Sequence, residues 1–191
     1  MLMGWRKSRA RAKATLARKA AWQGDPDAGR RLAEHFPDSV WPSVGTVVAG
    51  YRPIRDEIDP TPLMETFYCE QAQLCLPCVA GPDRPLVFRA FQPGDDFVRG
   101  AFGVEEPSPD SPECKPLLIL APLLAFDETG KRLGYGAGFY DRTIAALRKH
   151  NPVTVVGLAY EAQRMRSVPT DRHDIALDWI VTEKRAYRGA V

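Results

Sequence analysis

The segment from residue 132 to residue 142 contains the residue types that most clearly suggest chemistry. It reads RLGYGAGFYDR, with glycines at the alternate positions 134, 136 and 138. Glycines leave backbone N–H groups uncovered and tolerate positive φ. Because the segment opens a predicted helix, the partial positive charge of the helix N-terminus adds to these N–H groups. The segment therefore predicts either a phosphate-binding loop or a tight strand-to-helix turn that holds no ligand.

Two common phosphate-binding motifs do not fit this segment. A P-loop needs Gly-Lys followed by Ser or Thr, whereas Gly130-Lys131 is followed by Arg132. A dinucleotide fingerprint needs a different glycine spacing and an acidic residue about 20 positions later. No Asp or Glu lies between Asp141 and Glu161. NAD is therefore not expected as a cofactor.

Two carboxylates are candidates for a metal site. Asp141 falls in the first turn of the helix that follows the glycines, and Asp174 ends the polar run PTDRHD after a later predicted strand. Mg²⁺ typically uses one or two carboxylates together with phosphate oxygens, and loops at the carboxyl ends of parallel strands share one crevice. The sequence thus predicts that Asp141 and Asp174 meet at a Mg²⁺ site. Alternatively, Asp141 only complements the helix dipole.

Charge is unevenly distributed along the chain of 191 residues. The totals are 26 Lys and Arg against 24 Asp and Glu, but residues 1–24 hold seven bases and no acid. Lys7 and Arg11 are four positions apart and share one face of a predicted helix. Taken alone, this segment is typical of a solvated helix face, a nucleic-acid-binding arm or a targeting peptide. The seven bases are Arg6, Lys7, Arg9, Arg11, Lys13, Arg18 and Lys19.

The elements that must position these residues alternate between strands and helices in the second half of the chain. Strands are predicted at 44–51, 74–79, 85–91, 117–122, 153–160 and 179–182, and helices at 6–22, 26–36, 61–73 and 138–150. Asp25 is the predicted N-cap of the second helix, and the proline-rich residues 92–115 are predicted to be mostly loop. The alternation predicts a three-layer α/β/α fold, Rossmann-like, with a largely parallel sheet and helices on both faces.

The cysteines and the apolar segments indicate in which cellular compartment the protein is expected. Four cysteines are too few for a disulfide scaffold. Cys75 and Cys78 form a C-x-x-C inside a predicted strand, where residues three apart point to opposite faces. We therefore expect buried thiols in a reducing cytoplasm. The longest strongly apolar segment, 117–126, is too short to span a membrane.

Read together, these segments resemble the 5-formyltetrahydrofolate cyclo-ligase family. The densest block runs from Ala121 to Arg142 and follows the pattern P-x-x-A-F-D-x-x-G-x-R-L-G-x-G-x-G-[FY]-Y-D. The resemblance covers nearly the whole chain and implies a single cyclo-ligase domain over residues 1–191. The further matches are Lys7 with Arg11, DEID at 56–59, FGVEEP at 102–107, GLAY at 157–160, Gln163, VP at 168–169, HD at 173–174 and VTE at 181–183.

The resemblance implies an enzyme that uses ATP and Mg²⁺ to close 5-formyltetrahydrofolate to 5,10-methenyltetrahydrofolate, with release of ADP and phosphate. The oxygen of a formamide is a poor leaving group, so transfer of the γ-phosphoryl group to it prepares the formyl carbon for attack by N10. The protein is expected mainly to position the reactants and balance charge. A cytoplasmic monomer with a small-molecule substrate, and with no nucleic-acid or membrane partner, is the implied context.

The resemblance also implies individual roles, in which the N-terminal helix joins the ATP site and its other five bases remain solvated. The implied ATP-binding positions are Lys7, Arg11, Arg132, Gly134, Tyr135, Gly136, Ala137, Gly138, Phe139 and Tyr140. The implied folate-binding positions are Arg52, Glu57, Phe102, Tyr135 and Phe139. The implied catalytic residues are Tyr140 and Arg132, and the implied Mg²⁺ ligands are Asp141 and Asp174.

The sequence departs from the family pattern at Ala10, Pro60, Ala137 and Phe139, where Leu, Thr, Gly and Tyr are usual. Ala137 fits only if its φ is negative. Two other interpretations stay open. One is a relative of the same fold that binds ATP or another phosphorylated metabolite without cyclo-ligase activity, and the other is a nucleic-acid-binding protein that uses the basic helix.

Overall fold

A computed structural model of the protein describes residues 2–190, without the side chains of Leu2, Met3 and Phe102. The helices are α1 (Leu2–Gly24), α2 (Leu32–His35), α3 (Thr61–Cys69) and α4 (Phe139–Leu147). The strands are β1 (Val47–Ala49), β2 (Gln73–Cys78), β3 (Val87–Ala90), β4 (Phe97–Arg99), β5 (Glu105–Pro107), β6 (Glu113–Cys114), β7 (Leu118–Pro122), β8 (Ala125–Phe126), β9 (Arg132–Leu133), β10 (Thr154–Leu158), β11 (Trp179–Val181) and β12 (Ala186–Arg188).

An eight-stranded mixed sheet runs through the described part of the chain in the order β12-β11-β10-β7-β1-β2-β3-β6. Its five central strands, from β11 to β2, are parallel to their neighbours. Strand β12 at one edge and strands β3 and β6 at the other pair in the antiparallel sense. The predicted largely parallel sheet is thus confirmed, and the carboxyl ends of β1, β2, β7 and β10 all lie at the same edge.

Side chains alternate between the two faces of this sheet, because successive residues of a strand point to opposite sides. Val48 and Leu120 pack with Phe67 of α3 in one apolar cluster. Ile119 packs with Ile144 of α4 in a second cluster. Burial of each such side chain contributes about 1.5–3 kcal/mol. Helices therefore cover both faces, which confirms the predicted three-layer α/β/α fold.

Helix α1 lies apart from these layers, over the β8–β9 hairpin. Its inward face carries small residues, and Ala10 and Ala14 pack against Leu124, Leu133 and Val168 in a third buried cluster. Small side chains let the helix lie close to the hairpin. The longer side chains of Lys7 and Arg11 on this side of α1 reach the cavity at the carboxyl edge of the main sheet.

The structure corrects the predicted second helix and the predicted loop. Residues 26–36 form a 3-10 turn, Ala28–Arg31, followed by the short α2. Asp25 does not cap a helix, because its carboxylate pairs with Arg31 instead. Residues 92–115 contain the β4–β5 hairpin and β6, which supply part of a cavity wall and one edge of the main sheet.

Two other predicted elements are shorter in the structure, because residues with positive φ angles interrupt them. Helix α3 ends four residues before the predicted end at 73, since Gln71 adopts φ 66°. The strand predicted over 44–51 shrinks to β1 because Gly45, with φ 78°, turns the chain just before it. The C-x-x-C cysteines do lie on β2, and both are buried. No helix within residues 2–190 has the length and apolar character that a membrane span requires.

Candidate active site

A cavity of about 930 Å³ opens at the carboxyl ends of the parallel strands. Its walls come from the segments after β1 and β2, from the loop between β9 and α4, and from residues 171–175 after β10. Lys7 and Arg11 of α1 also line it. This is the edge at which ligands bind in open α/β sheets, and it is the crevice that the sequence predicted for Asp141 and Asp174.

The glycine-rich loop adopts a conformation that needs its glycines. Gly136 has φ 106° and Gly138 has φ 68°, both in the region that favours glycine. A Cβ at Gly136 would also lie 3.1 Å from the guanidinium of Arg11. The described non-glycine residues with positive φ do not include Ala137, so the required negative φ at this position is confirmed. The Arg11 Nε–H donates to the Gly134 carbonyl over 2.9 Å.

The loop ends at the N-terminus of α4, where Gly138 is the cap residue. As a glycine, Gly138 supplies no side-chain hydrogen bond to this helix end. Residues 138–141 at this helix end line the cavity, so the positive end of the helix dipole lies at the cavity wall. Arg142 stabilises the turn from outside, because its Nη2 donates to the Ala137 carbonyl over 2.7 Å. The arrangement suits an anion such as a phosphate group.

Arg132 and Asp141 form a buried link between the glycine-rich loop and the segment after β10. Arg132 Nη2 lies 2.8 Å from Asp141 Oδ1, and Arg132 also donates to the Ile175 carbonyl. The Ile175 N–H donates to the same Asp141 oxygen over 3.0 Å. Since Ile175 directly follows Asp174, the two predicted metal ligands are brought to the same side of the cavity.

Lys7 reaches this acidic side from α1. Its Nζ lies 2.7 Å from Asp171 Oδ2 and 2.5 Å from Asp174 Oδ2. Burial lowers the pKa of Lys7, but the hydrogen bonds to the two carboxylates outweigh it and the pKa is raised. The hydrogen bond from Lys7 also lowers the pKa of Asp171. Both shifts favour the charged forms of Lys7 and Asp171. Among the described residues, no three acidic, His or Cys side chains lie close enough together to hold a metal ion by themselves.

A second ionic cluster, which we call the Arg18 cluster, consists of Arg18, Asp56, Glu57 and Tyr135 at the opposite end of the cavity. Arg18 Nη2 lies 2.7 Å from Asp56 Oδ1, and Arg18 Nη1 lies 3.7 Å from Glu57 Oε1. Glu57 accepts hydrogen bonds from the Tyr135 hydroxyl over 2.7 Å and from the Ile54 N–H over 2.9 Å. The prediction that Arg18 stays solvated is wrong, because its side chain is only 2% exposed.

Arg18 and Asp56 are site residues that the sequence reasoning missed. A signal was available, because Arg18 is seven and eleven positions after Arg11 and Lys7, which are whole numbers of helical turns. It therefore lies on the same helix face. The four remaining bases of the segment are exposed as predicted, namely Arg6, Arg9, Lys13 and Lys19.

Burial sets the protonation of several groups at this end of the cavity. Burial raises the pKa of Glu57, and hydrogen bonds from Ile54 and Tyr135, with the charge of Arg18, offset part of the shift. Burial also raises the pKa values of Tyr135 and Tyr140 well above the usual range of tyrosine. Both phenols are therefore neutral at physiological pH and available as hydrogen-bond donors.

The remaining predicted folate positions lie at the cavity wall or outside the described side chains. Arg52 lines the cavity, pairs with Glu105 over 2.8 Å, and has its guanidinium 4.4 Å from the centre of the Phe97 ring. Phe139 lines the cavity beside Tyr140. The side chain of Phe102 lies outside the described residues, although its neighbour Ala101 contributes to the wall.

The fold and the site together define an α/β protein with a glycine-rich loop and two nearby carboxylates at a crevice beside the carboxyl ends of the parallel strands. The model of the 5-formyltetrahydrofolate cyclo-ligase family matches residues 5–183. The chain is 32% identical to the Escherichia coli (strain K12) 5-formyltetrahydrofolate cyclo-ligase, over 73% of this chain and 79% of the relative. It is 33% identical to the Mycolicibacterium smegmatis 5-formyltetrahydrofolate cyclo-ligase, over 74% and 75% of the two chains.

A solved structure is also similar. The Aquifex aeolicus 5,10-methenyltetrahydrofolate synthetase superposes with a TM-score of 0.78 at 30% identity, covering 97% of this chain and 93% of that one. The protein belongs to the 5-formyltetrahydrofolate cyclo-ligase family. The family resemblance inferred from the sequence is thereby confirmed, and so is the prediction that the protein is an enzyme of this ligase family. The roles given to individual residues stay predictions.

Proposed function

We propose that the protein converts 5-formyltetrahydrofolate to 5,10-methenyltetrahydrofolate with the use of ATP and Mg²⁺ and the release of ADP and phosphate. One observation carries this proposal beyond family membership. A single cavity joins a cationic, glycine-rich anion site to a buried carboxylate, Glu57, at its far end. The reaction needs such a site, because a triphosphate and a pterin must meet in one place.

The residues at the glycine end fit a bound triphosphate. The glycines of the loop and the positive end of the α4 dipole suit phosphate oxygens. Arg11 is held against the loop at Gly134, and Lys7 and Arg132 line the same side of the cavity. When bound, ATP supplies the phosphoryl group that activates the formyl oxygen. The proposed ATP-binding set is Lys7, Arg11, Arg132 and the segment from Gly134 to Tyr140.

The carboxylates beside this loop fit a magnesium ion in number and chemistry. Mg²⁺ is usually held by one or two carboxylates together with phosphate oxygens and water. Asp141 and Asp174 supply two carboxylates on one side of the cavity, next to the anion site. Lys7, which neutralises Asp174 in this structure, carries a charge that suits phosphate oxygens as well. We infer that Asp141 and Asp174 are the protein ligands of Mg²⁺.

At the other end, Glu57 suits the N–H donors of a pterin ring. A carboxylate is an acceptor with about four lone-pair positions. Each Glu57 oxygen accepts one hydrogen bond from the protein, from Tyr135 or from Ile54. One further position on each oxygen is therefore left for two ligand N–H groups. Tyr135 and Phe139 add aromatic surface to the cavity, which suits a flat heterocycle.

Tyr140 and Arg132 are the proposed catalytic residues between the two ends. Because burial raises its pKa, Tyr140 keeps its proton and can donate a hydrogen bond to the formyl oxygen. Arg132 is fixed by Asp141 and by the Ile175 carbonyl, so its charge is held still beside the anion site. A fixed charge stabilises developing negative charge without a cost of reorganisation.

The nucleic-acid alternative is not favoured by the structure. Three of the seven N-terminal bases, Lys7, Arg11 and Arg18, contact groups of the protein itself. Three of the four bases left exposed on α1, Arg6, Arg9 and Lys13, are spaced i, i+3 and i+7 and share its outward face, which is the ordinary pattern of a solvated helix face. The expected cytoplasmic location and monomeric state stay predictions.

An absorbance assay tests the proposed function. The purified protein is mixed with 5-formyltetrahydrofolate, ATP and Mg²⁺, and formation of the methenyl product is followed. We expect product only when all three are present, with one ADP per product. Absence of product from folded protein would contradict the proposal. ATP binding without turnover would support the alternative of a phosphometabolite-binding relative.

A further inference from the structure

The Arg18 cluster contains a cation that neither substrate is expected to contact. Arg18 lies on the inward face of α1 with its side chain 2% exposed. It does not line the cavity itself, whereas its partners Glu57 and Tyr135 do. Burial of an arginine between two acids costs desolvation energy, which its ion pairs and hydrogen bonds must offset. Its place behind the cavity wall suggests that it acts through these partners.

The hydrogen-bond pattern of this cluster has only one possible direction. A guanidinium group can donate but not accept. The Tyr135 hydroxyl therefore accepts from Arg18 Nη1 and donates its own proton to Glu57 Oε1. Arg18 also lies against the Tyr135 ring, 5.4 Å from the ring centre. Because half of Tyr135 is exposed to the cavity, this contact fixes a cavity wall as well as a hydroxyl.

The positive charge of Arg18 faces Glu57, since Arg18 Nη1 lies 3.7 Å from Glu57 Oε1. The titratable groups that face it are Arg18 from α1, Tyr135 from the glycine-rich loop, Asp56 from its own loop, and the phenols of Tyr51 and Tyr140. Arg18 is the one cation in this set. Without it, Glu57 would face the neighbouring acid Asp56 with no compensating cation, which favours uptake of a proton by Glu57. A protonated Glu57 would then present a donor where a pterin presents N–H donors.

On the basis of the proposed function, we propose that Arg18 is a positioning residue that keeps Glu57 charged and directs the Tyr135 hydroxyl toward it, so that the folate end of the cavity is ready before substrate binds. Tyr135 belongs to the glycine-rich loop. Arg18 thereby also ties the folate-binding acid to the loop proposed to hold ATP. The role is distinct from catalysis, because Arg18 touches neither the reacting atoms nor the phosphates.

Steady-state kinetics over a range of pH test this role. Loss of a hydrogen bond to a charged group predicts that Arg18→Met lowers kcat/KM for 5-formyltetrahydrofolate about tenfold or more. The acidic limb of the pH profile of kcat/KM should move up by about one pH unit, since Glu57 protonates more readily. The KM for ATP should change little. Arg18→Lys should restore part of both effects, and Lys19→Met, at the exposed neighbouring position, should behave as the wild type.

Tyr135→Phe keeps the proposal testable if Arg18→Met does not fold. It removes the Tyr135 hydroxyl that donates to Glu57 and leaves the packing of α1 intact, so the acidic limb should move in the same direction. An unchanged acidic limb in Tyr135→Phe and in any folded Arg18 variant, with an active wild type, would overturn the proposal and leave the function standing. A wild type inactive on 5-formyltetrahydrofolate would overturn the proposed function itself, and this inference with it.

Discussion

The two ends of the inward face of α1 carry similar ion pairs in different surroundings. Lys7 binds Asp171 and Asp174, whose side chains are 44% and 23% exposed. Arg18 binds Asp56 and Glu57, whose side chains are 12% and 2% exposed. An ion pair whose carboxylates reach solvent contributes less to stability, whereas a fully buried pair is held because breaking it leaves an uncompensated charge. The proposed phosphate end is therefore free to change partners when a ligand binds, while the proposed folate end is fixed in advance.

The largest effect should come from the exchanging end. Asp141→Asn removes a proposed metal ligand but retains an oxygen that can accept from Arg132 and Ile175. We expect kcat to fall by at least about a thousandfold, since a catalytic metal supplies several kcal/mol of charge stabilisation. Circular dichroism should show an intact fold. Asp110→Asn, at an exposed position, is the matched control, and near-normal turnover in Asp141→Asn would refute the metal role.

The free energy of unfolding should fall more when the Arg18 end is changed than when the Lys7 end is changed. Arg18→Met leaves Asp56 and Glu57 buried without their cation, so we expect the free energy of unfolding to fall by about 3–5 kcal/mol. Lys7→Met should lower it less, because water replaces the lost contact at Asp171 and Asp174. Urea denaturation of both variants measures the contrast. Equal losses in the two variants would remove the distinction between a fixed and an exchanging end.

A smaller effect concerns the pH dependence of stability through Glu57. Burial raises the pKa of Glu57 in the folded protein. Above the ordinary glutamate pKa of about 4.3, the unfolded chain loses this proton first, so the buried charge lowers stability at neutral pH. This penalty disappears below the ordinary pKa, where both states are protonated.

We therefore expect Glu57→Gln to match or exceed the wild-type Tm at pH 7, although it loses affinity for the folate. The difference between the two Tm values should shrink as the pH falls toward 4. Thermal denaturation at several pH values, with Glu65→Gln on the surface as control, measures it. A Glu57→Gln variant that is less stable at pH 7 and regains stability in acid would contradict the sign.

The glycine-rich loop and the central sheet followed from the sequence because their signals are local. A continuous apolar run marked β7, and alternating glycines marked the turn into α4. The Arg18 cluster did not follow, because its partner Asp56 is 38 positions away along the chain. Whether a base on a helix is solvated or buried depends on what the fold brings against it. The helix predicted over residues 26–36 is shorter in the structure for a similar reason, since the Asp25 carboxylate pairs with Arg31 and does not cap the helix.

The central claim is that one face of α1 serves the two substrates separately, with Lys7 at ATP and Arg18 at the folate. Two-substrate kinetics of the wild type, Lys7→Ala and Arg18→Met test it most directly. We expect Lys7→Ala to raise the KM for ATP about tenfold with little change in the KM for 5-formyltetrahydrofolate. Arg18→Met should raise the KM for 5-formyltetrahydrofolate with little change in the KM for ATP. If both variants raise both KM values in equal proportion, or if neither KM changes, the two-ended account of the active site is wrong.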